Sequence, residues 1–284
     1  MKVAIQGGKA SFHDIATHRF FSKESQIQLF ENDTFRGACK DVYSDRVDYG
    51  LIVIENSIAG SILPNYSLIE EYNLHIVGEY KLRIKQNLMA LPGQQLKDIQ
   101  LVRSHYMALL QCNEYLNQYP EMVLEEAADT ADSAKDIREN NRKGVAAIAS
   151  DKAAQLYDLE ILGESIETNK LNFTRFFVLS KKQKHYYPRK ELNKATLSFE
   201  LSHEVGSLAR ALQIIVEKQI NLTKIQSIPI VGKPDQYTFF IDCVWENYAD
   251  IIACYKQLEK LLVNLKLLGE YKHFEIDYDH TISG

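Results

Sequence analysis

Leu74-His75-Ile76-Val77-Gly78-Glu79-Tyr80-Lys81-Leu82-Arg83-Ile84 reads as one long extended segment set into an otherwise regular rhythm. Before it, and again from Ile99 onward, short apolar runs alternate with helical patterns, as the βα units of a mostly parallel sheet require. The runs are Val3-Ala4-Ile5, Leu51-Ile52-Val53-Ile54, Leu101-Val102, Ala146-Ala147-Ile148-Ala149 and Phe176-Phe177-Val178-Leu179, each short enough for a buried strand. The class is therefore α/β. An extended segment between two βα series reads as a crossover between lobes. If the chain returns near residues 165–180, lobe one (1–78 and 165–180) and lobe two (79–164) are joined by two strands, with a ligand cleft between them and hinged closure available.

Several apolar runs end in residues that suit a turn or a helix start: Gly7-Gly8 and then Ser11, Asn56-Ser57, Ser104, and Ser150-Asp151. In open α/β sheets ligands sit at the carboxyl ends of strands, where helix N-termini offer unpaired N–H groups to anions. The chain thus carries several candidate anion cradles.

Bulk properties narrow the function classes. A chain of 284 residues predicts roughly two or three domains, and 45% hydrophobic with 25% charged residues is ordinary for a globular protein. The net charge of −5 is spread without long blocks, which argues against a nucleic-acid binder and favours small-molecule partners. Cys39, Cys112, Cys243 and Cys254 never approach CxxC spacing, and the eight histidines form no ligand-spaced cluster, so no metal site is indicated. The N-terminal apolar run is too short for a signal peptide, and no stretch of about 18 apolar residues suggests a membrane span. A reducing cytoplasm is the expectation.

After Leu179, the stretch of residues 181–194 is polar, basic and proline-containing, and reads as an interdomain linker. Residues 195–284 then form a second domain of order βαββαβ, the ferredoxin-like arrangement. Its strands are expected at Thr196 to Leu201, Asn221 to Ile230, Tyr237 to Val244 and Leu268 to Ile276. Leu208, Ala211, Leu212, Ile215 and Val216 mark one helical face; Ile251, Tyr255, Leu258, Leu262 and Leu265 mark the other helix. No period of about 20–50 residues repeats.

An ordered series of motifs resembles prephenate dehydratase with a C-terminal ACT regulatory domain, over nearly the whole chain. Gly8-Lys9-Ala10-Ser11-Phe12 followed by Ala16 is similar to the family's Gly-Pro-x-Gly-Thr/Ser-Phe-Ser segment, with Lys9 where proline is usual. Val53-Ile54-Glu55-Asn56-Ser57-Ile58-Ala59-Gly60-Ser61-Ile62 follows its Pro-Ile-Glu-Asn-Ser-x-x-Gly-x-Val run, the most specific of the set. Ser104 to Cys112, Asp129-Thr130-Ala131 and Asn172-Phe173-Thr174-Arg175-Phe176 continue in the family's order. The resemblance implies two α/β lobes like a type II periplasmic binding protein, an active site in the cleft, and no metal or organic cofactor.

The implied reaction expels a ring hydroxyl as CO2 leaves and the ring becomes aromatic. A protein catalysing it must hold two carboxylates, align the breaking bonds and give a strong hydrogen bond to the departing oxygen. The resemblance puts Thr174 in the last role; as a threonine hydroxyl is a poor acid, the physical reading is positioned donation rather than outright proton transfer. Arg175 offers a fork of donors to a carboxylate, or equally a structural ion pair, since successive strand side chains face opposite ways. Phe176 shares the face of Thr174 and either shapes the pocket or packs the core. Ser11, Asn56, Ser57, Ser104 and Thr130 stand at strand-to-helix turns as carboxylate ligands, as helix caps, or as both; Gly60 and Asn172 complete the candidate substrate set. Glu55 is expected to orient its loop, and His105 to prefer the neutral state near a helix start.

In the C-terminal domain, Val205-Gly206-Ser207-Leu208 and Ile220-Asn221-Leu222-Thr223-Lys224-Ile225-Gln226-Ser227-Ile228-Pro229 resemble the family's phenylalanine-binding segments. Gly206, Ser207, Leu208, Asn221 and Leu222 are the implied L-phenylalanine ligands. Gln226 for the usual glutamate and Ile228 for the usual arginine bear on the strength of that inhibition. A homodimer or homotetramer is implied, because ACT domains pair through their sheets. Family fusions to chorismate mutase leave no trace before Lys2, so a monofunctional enzyme is expected. Arogenate dehydratase and a non-catalytic amino-acid sensor on the same fold are the competing readings.

Overall fold

The computed structural model describes residues 1–202 and 204–274. The extended segment is the strand His75–Arg83, and the chain does return: the strand Phe173–Ser180 lies beside it. Their sheet runs in the order Gln28–Asn32, Lys2–Gln6, Tyr49–Asn56, Phe173–Ser180, His75–Arg83, and the two-residue strand Gly60–Ser61 pairs with Tyr49–Asn56. A second sheet has the order Glu160–Gly163, Asn87–Ala90, Val145–Ala149, Leu101–His105, Val123–Ala127. Its last three strands are parallel; its first two pairings are antiparallel. Val145–Ala149 is buried at every residue, which is why it reads as an unbroken apolar run.

The chain divides into two compact units, and the boundaries at 79/80 and 176/177 fall inside the strands His75–Arg83 and Phe173–Ser180. Of the described residues, 1–72 and 80–176 form the first unit, and 73–79 with those from Phe177 to Phe274 form the second. The sequence reading placed its boundary at a linker over 181–194. In the structure that stretch holds a short 3-10 turn, Arg189–Glu191, and its last residue opens the strand Lys194–Glu200.

The second unit contains a four-stranded antiparallel sheet in the order Asn221–Pro229, Tyr237–Val244, Lys194–Glu200, Val263–Tyr271. With helices Ser207–Glu217 and Tyr248–Leu261 between its strands, it follows the expected βαββαβ order. Leu197, Phe199, Ile241 and Cys243 pack with Ala211, Ile215, Ile251, Cys254 and Leu258. Two expectations are corrected. Val216 is 66% exposed, because the helix buries the face of Ser207, Ala211 and Ile215 instead. Leu265 belongs to the strand Val263–Tyr271, since the helix ends at Leu261 and Leu262 is already extended. Ile276, expected in that last strand, lies outside the described residues.

All four cysteines are free and buried, and among the described residues no helix is long and apolar enough to cross a membrane.

Candidate active site

Within the first unit a cavity of about 470 Å³ opens between the two sheets, large enough for a small aromatic acid. Its walls are helix beginnings. Ser11 caps Phe12–Phe20, Thr34 caps Phe35–Tyr43, His105 caps Tyr106–Gln111 and Asp129 caps Thr130–Glu139; each of these residues lines the cavity. The caps follow from sequence. Ser11, Thr34 and Asp129 sit in extended backbone just before helical residues, and each side-chain oxygen accepts from an N–H of the first turn. The partial positive charge of the helix ends therefore converges on the cavity.

That convergence matters because none of the described residues lining the cavity is Lys or Arg. The ionisable side chains present are Asp33, Asp129, His13 and His105. Burial raises the Asp129 carboxyl above its usual range, although N–H groups of Ala131 and Asp132 pull the other way. His105 accepts the Met107 N–H at Nδ1, 3.2 Å, which leaves its ring proton on Nε2.

One side of the cavity carries a hydrogen-bonded chain. Asn56, at the end of the strand Tyr49–Asn56, accepts the N–H groups of Ile58 and Ala59 at Oδ1, 3.0 and 2.9 Å. This fixes the amide with its nitrogen facing the other way. Nδ2 donates to Asn172 Oδ1 at 2.8 Å and to Thr174 Oγ1 at 3.0 Å, with the Phe173 carbonyl a longer contact at 3.3 Å. Since Thr174 Oγ1 accepts from Asn56, its own proton is available to donate into the cavity that it lines. Asn172 passes the chain on, donating to Gln111 Oε1 at 2.9 Å; Gln86 Nε2 donates to the same oxygen at 3.4 Å. Gln111 itself lines the cavity.

Two long-range contacts join the turn and helix at Ala10 to Asp14 to the start of the helix Asp151–Leu156. Ser150 Oγ donates to the Ala10 carbonyl at 2.8 Å, and Lys152 Nζ pairs with the buried Asp14 at 3.0 Å. At Gly7, with φ of 82°, a Cβ would stand 3.3 Å from Asp129 Oδ2, so a larger residue there would press on the cap of the facing helix.

Comparison with known proteins decides the family. Residues 3–184 match the family profile of prephenate dehydratase. The chain belongs to the prephenate dehydratase family. It is 31% identical to a prephenate dehydratase of Lactococcus lactis subsp. cremoris, over 97% of this chain and 99% of that one. It is 35% identical to arogenate dehydratase/prephenate dehydratase 2 of Arabidopsis thaliana, over 95% of this chain and 72% of the plant protein. Among solved structures, that of GqqA, described as a novel type of quorum quenching acylase, superposes with a TM-score of 0.86 at 26% identity, covering 96% of this chain and 98% of that one.

For a prephenate dehydratase family member, the structure sorts the residues singled out from sequence. Ser11, Asn56, Thr130, Thr174 and Phe176 line the cavity together. Asn172 stands behind them, fully buried, bridging Asn56 and Gln111. Ser57 accepts the Phe173 N–H and donates to the Leu171 carbonyl, which ties the turn to the returning strand. Gly60, with φ of 82°, closes that turn and does not line the cavity.

Arg175 lies off the cavity, its guanidinium 3.7 Å from Glu55, because it alternates with Thr174 and Phe176 along the strand. Of the two readings of Arg175, a fork for a ligand carboxylate or a structural ion pair, this contact agrees with the second. Ser104 is also displaced from its expected role: fully buried, its Oγ donates to the Ile148 carbonyl at 2.6 Å and joins neighbouring strands. Ser104→Ala is expected to lower stability by about 1 kcal/mol and to leave kcat/KM unchanged. Urea unfolding beside steady-state kinetics checks both halves.

Sequence reasoning missed Gln6, His13, Asp33, Thr34, Gln86 and Gln111 as lining residues. Gln111 had a signal, since it lies inside the Ser104 to Cys112 motif. Asp33-Thr34 also had one, a cap pair before the helix Phe35–Tyr43. Gln6 and Gln86 carried none.

In the second unit, Gly206 takes the left-handed backbone (φ 82°) at the N-cap of Ser207–Glu217. Ser207 is buried and Leu208 half-buried at the start of that helix. Asn221 and Leu222 begin the edge strand Asn221–Pro229, Asn221 exposed and Leu222 half-buried.

Proposed function

We propose that the protein converts prephenate to phenylpyruvate by decarboxylating dehydration, as a step in phenylalanine biosynthesis in the cytoplasm. The observation that carries this reading is the Asn56–Thr174 pair: a buried amide, locked by the Ile58 and Ala59 N–H groups, aims the Thr174 hydroxyl into an anion-favouring cavity. Helix N-termini supply backbone N–H groups to the two carboxylates. The pair of electrons released as the ring carboxylate leaves as CO2 moves through the ring and expels the hydroxyl opposite. Thr174 donates a hydrogen bond to that oxygen as negative charge builds on it, and Phe176 shapes the ring's site. Gaining aromaticity provides the driving force, so a positioned neutral donor suffices. Ser11, the cap of Phe12–Phe20, and Thr130, the first residue after the cap Asp129, act beside the carboxylates as ligands.

A second substrate is favoured by a separate observation. Asp33 and Asp129 line a cavity wall without Lys or Arg, and such a wall suits the ammonium group of arogenate as well as the keto group of prephenate. The second unit is read as an ACT domain. Its left-handed Gly206 leaves room for a ligand carboxylate at the start of Ser207–Glu217, which supports L-phenylalanine as effector with Ser207, Leu208, Asn221 and Leu222 around it. The edge strand Asn221–Pro229 offers a sheet edge for a homodimer or homotetramer.

The test is to incubate the purified protein separately with prephenate and with arogenate, following phenylpyruvate and phenylalanine, with and without added L-phenylalanine. Phenylpyruvate formation that slows with added L-phenylalanine is expected. Turnover of neither substrate would sink the enzyme reading in favour of a sensor.

A further inference from the structure

Two buried side-chain atoms among the cavity-lining residues have no hydrogen-bond partner: Nε2 of His13 and Oε1 of Gln86. Gln86 still uses its nitrogen on Gln111. His13 is the more informative of the two. It sits in the first turn of Phe12–Phe20, 9% exposed. Its ring is held edge-on to Phe176, centroids 5.0 Å apart, and tilted against Phe35 at 5.6 Å. Phe35 and Phe176 also line the cavity, so the imidazole is wedged into the wall in one orientation.

Burial pushes the imidazole pKa down to about 3, and a place in a first helical turn acts in the same sense. His13 is therefore neutral at any physiological pH. A neutral imidazole still offers one N–H. Buried polar atoms in native proteins are nearly always paired, and leaving one unpaired costs stability. An unpaired nitrogen in the wall of a ligand cavity is accounted for if the ligand brings the partner. A dicarboxylate brings acceptors, which select the tautomer with its proton on Nε2.

We propose that His13 is a substrate-binding residue whose neutral Nε2–H donates a hydrogen bond to a carboxylate oxygen of the bound substrate. This rests on the reading of the cavity as the prephenate site. It gives the wall a side-chain donor for an anion where Lys and Arg are lacking. It also places that donor against Phe176, on the same strand as Thr174, so one wall holds the ring, a carboxylate and the departing hydroxyl.

The test compares full-length wild type, His13→Leu and His13→Gln. His13→Leu is expected to lower kcat/KM for prephenate by about ten- to a hundredfold, chiefly through KM, while raising Tm because an unpaired polar atom is removed. His13→Gln, which restores an amide donor, is expected to recover most of that loss. In wild type, titration with phenylpyruvate is expected to shift the His13 imidazole nitrogen resonances, assigned by their absence from the His13→Gln spectrum. A His13→Leu enzyme with wild-type kcat/KM, or His13 resonances unmoved at saturating phenylpyruvate, overturns the proposal. If wild type fails to turn over prephenate, the functional reading falls, and the phenylpyruvate titration still decides whether His13 meets a carboxylate ligand.

Discussion

Thr174→Val is expected to lower kcat for prephenate by about a hundred- to a thousandfold while KM stays near the wild-type value. Valine keeps the β-branched shape in a fully buried strand, so the change removes a hydroxyl and little else. Asn56 Nδ2 retains Asn172 Oδ1 as an acceptor, so no donor is stranded. The bond lost is the one that strengthens as charge develops on the departing oxygen, and an interaction made in the transition state shows in kcat. Thr174→Ser, which keeps the hydroxyl and loses a methyl group, is expected to stay within about tenfold of wild type. Steady-state kinetics on the three proteins decides the matter. A valine enzyme at wild-type kcat would leave the hydroxyl without a role in the chemistry.

The second large effect is on stability. Lys194 and Glu79 form an ion pair with side chains 2% and 0% exposed, both carboxylate oxygens 3.0 Å from Nζ. Oε1 also accepts the Phe274 N–H at 2.9 Å. Lys194→Met removes the cation that both oxygens of this buried carboxylate contact, a change that costs about 3–5 kcal/mol. The double variant Lys194→Met/Glu79→Leu removes both charges and is expected to recover most of that loss, because the desolvation of two buried ions disappears with their attraction. Urea unfolding of wild type, single and double variants checks this. A single variant within about 1 kcal/mol of wild type would contradict the burial.

Lys194 also shows where sequence reading stops. Taken in order along the chain it is the last residue of a polar, basic stretch, and composition alone makes that stretch a linker. Its partner is Glu79, 115 positions earlier in the extended segment Leu74 to Ile84. Neither residue announces the other. A buried charge is legible once its counter-charge is placed in space.

The candidate site divides along the same line. Ser11 was reached because capping chemistry is local, a short polar side chain satisfying an N–H three residues ahead; Thr130 was reached through its motif, and the cap of its helix is the preceding Asp129. Asn56 was reached through its motif, but the partners of its amide nitrogen, Asn172 and Thr174, lie 116 and 118 positions away. Ser104 was misjudged because a serine at a strand end looks the same whether it faces a cavity or bonds a neighbouring carbonyl. His13 next to Phe12 shows no pattern at all; its neutrality comes from burial against Phe35 and Phe176.

By itself, the sequence determined the α/β class and the βαββαβ order of the C-terminal part, and it picked out the extended segment Leu74 to Ile84 with a return near residues 165–180 as its condition, because strand and helix periodicities are carried by near neighbours. It also determined the family, through motifs that keep their order. Tertiary structure alone decided which motif residues share the cavity, that Arg175 pairs with Glu55 instead of lining it, that helix N-termini converge on a cavity lining without Lys or Arg, and that Lys194 is buried. Each of these depends on contacts between residues far apart in the chain, and on the solvent those contacts exclude, neither of which a local pattern records.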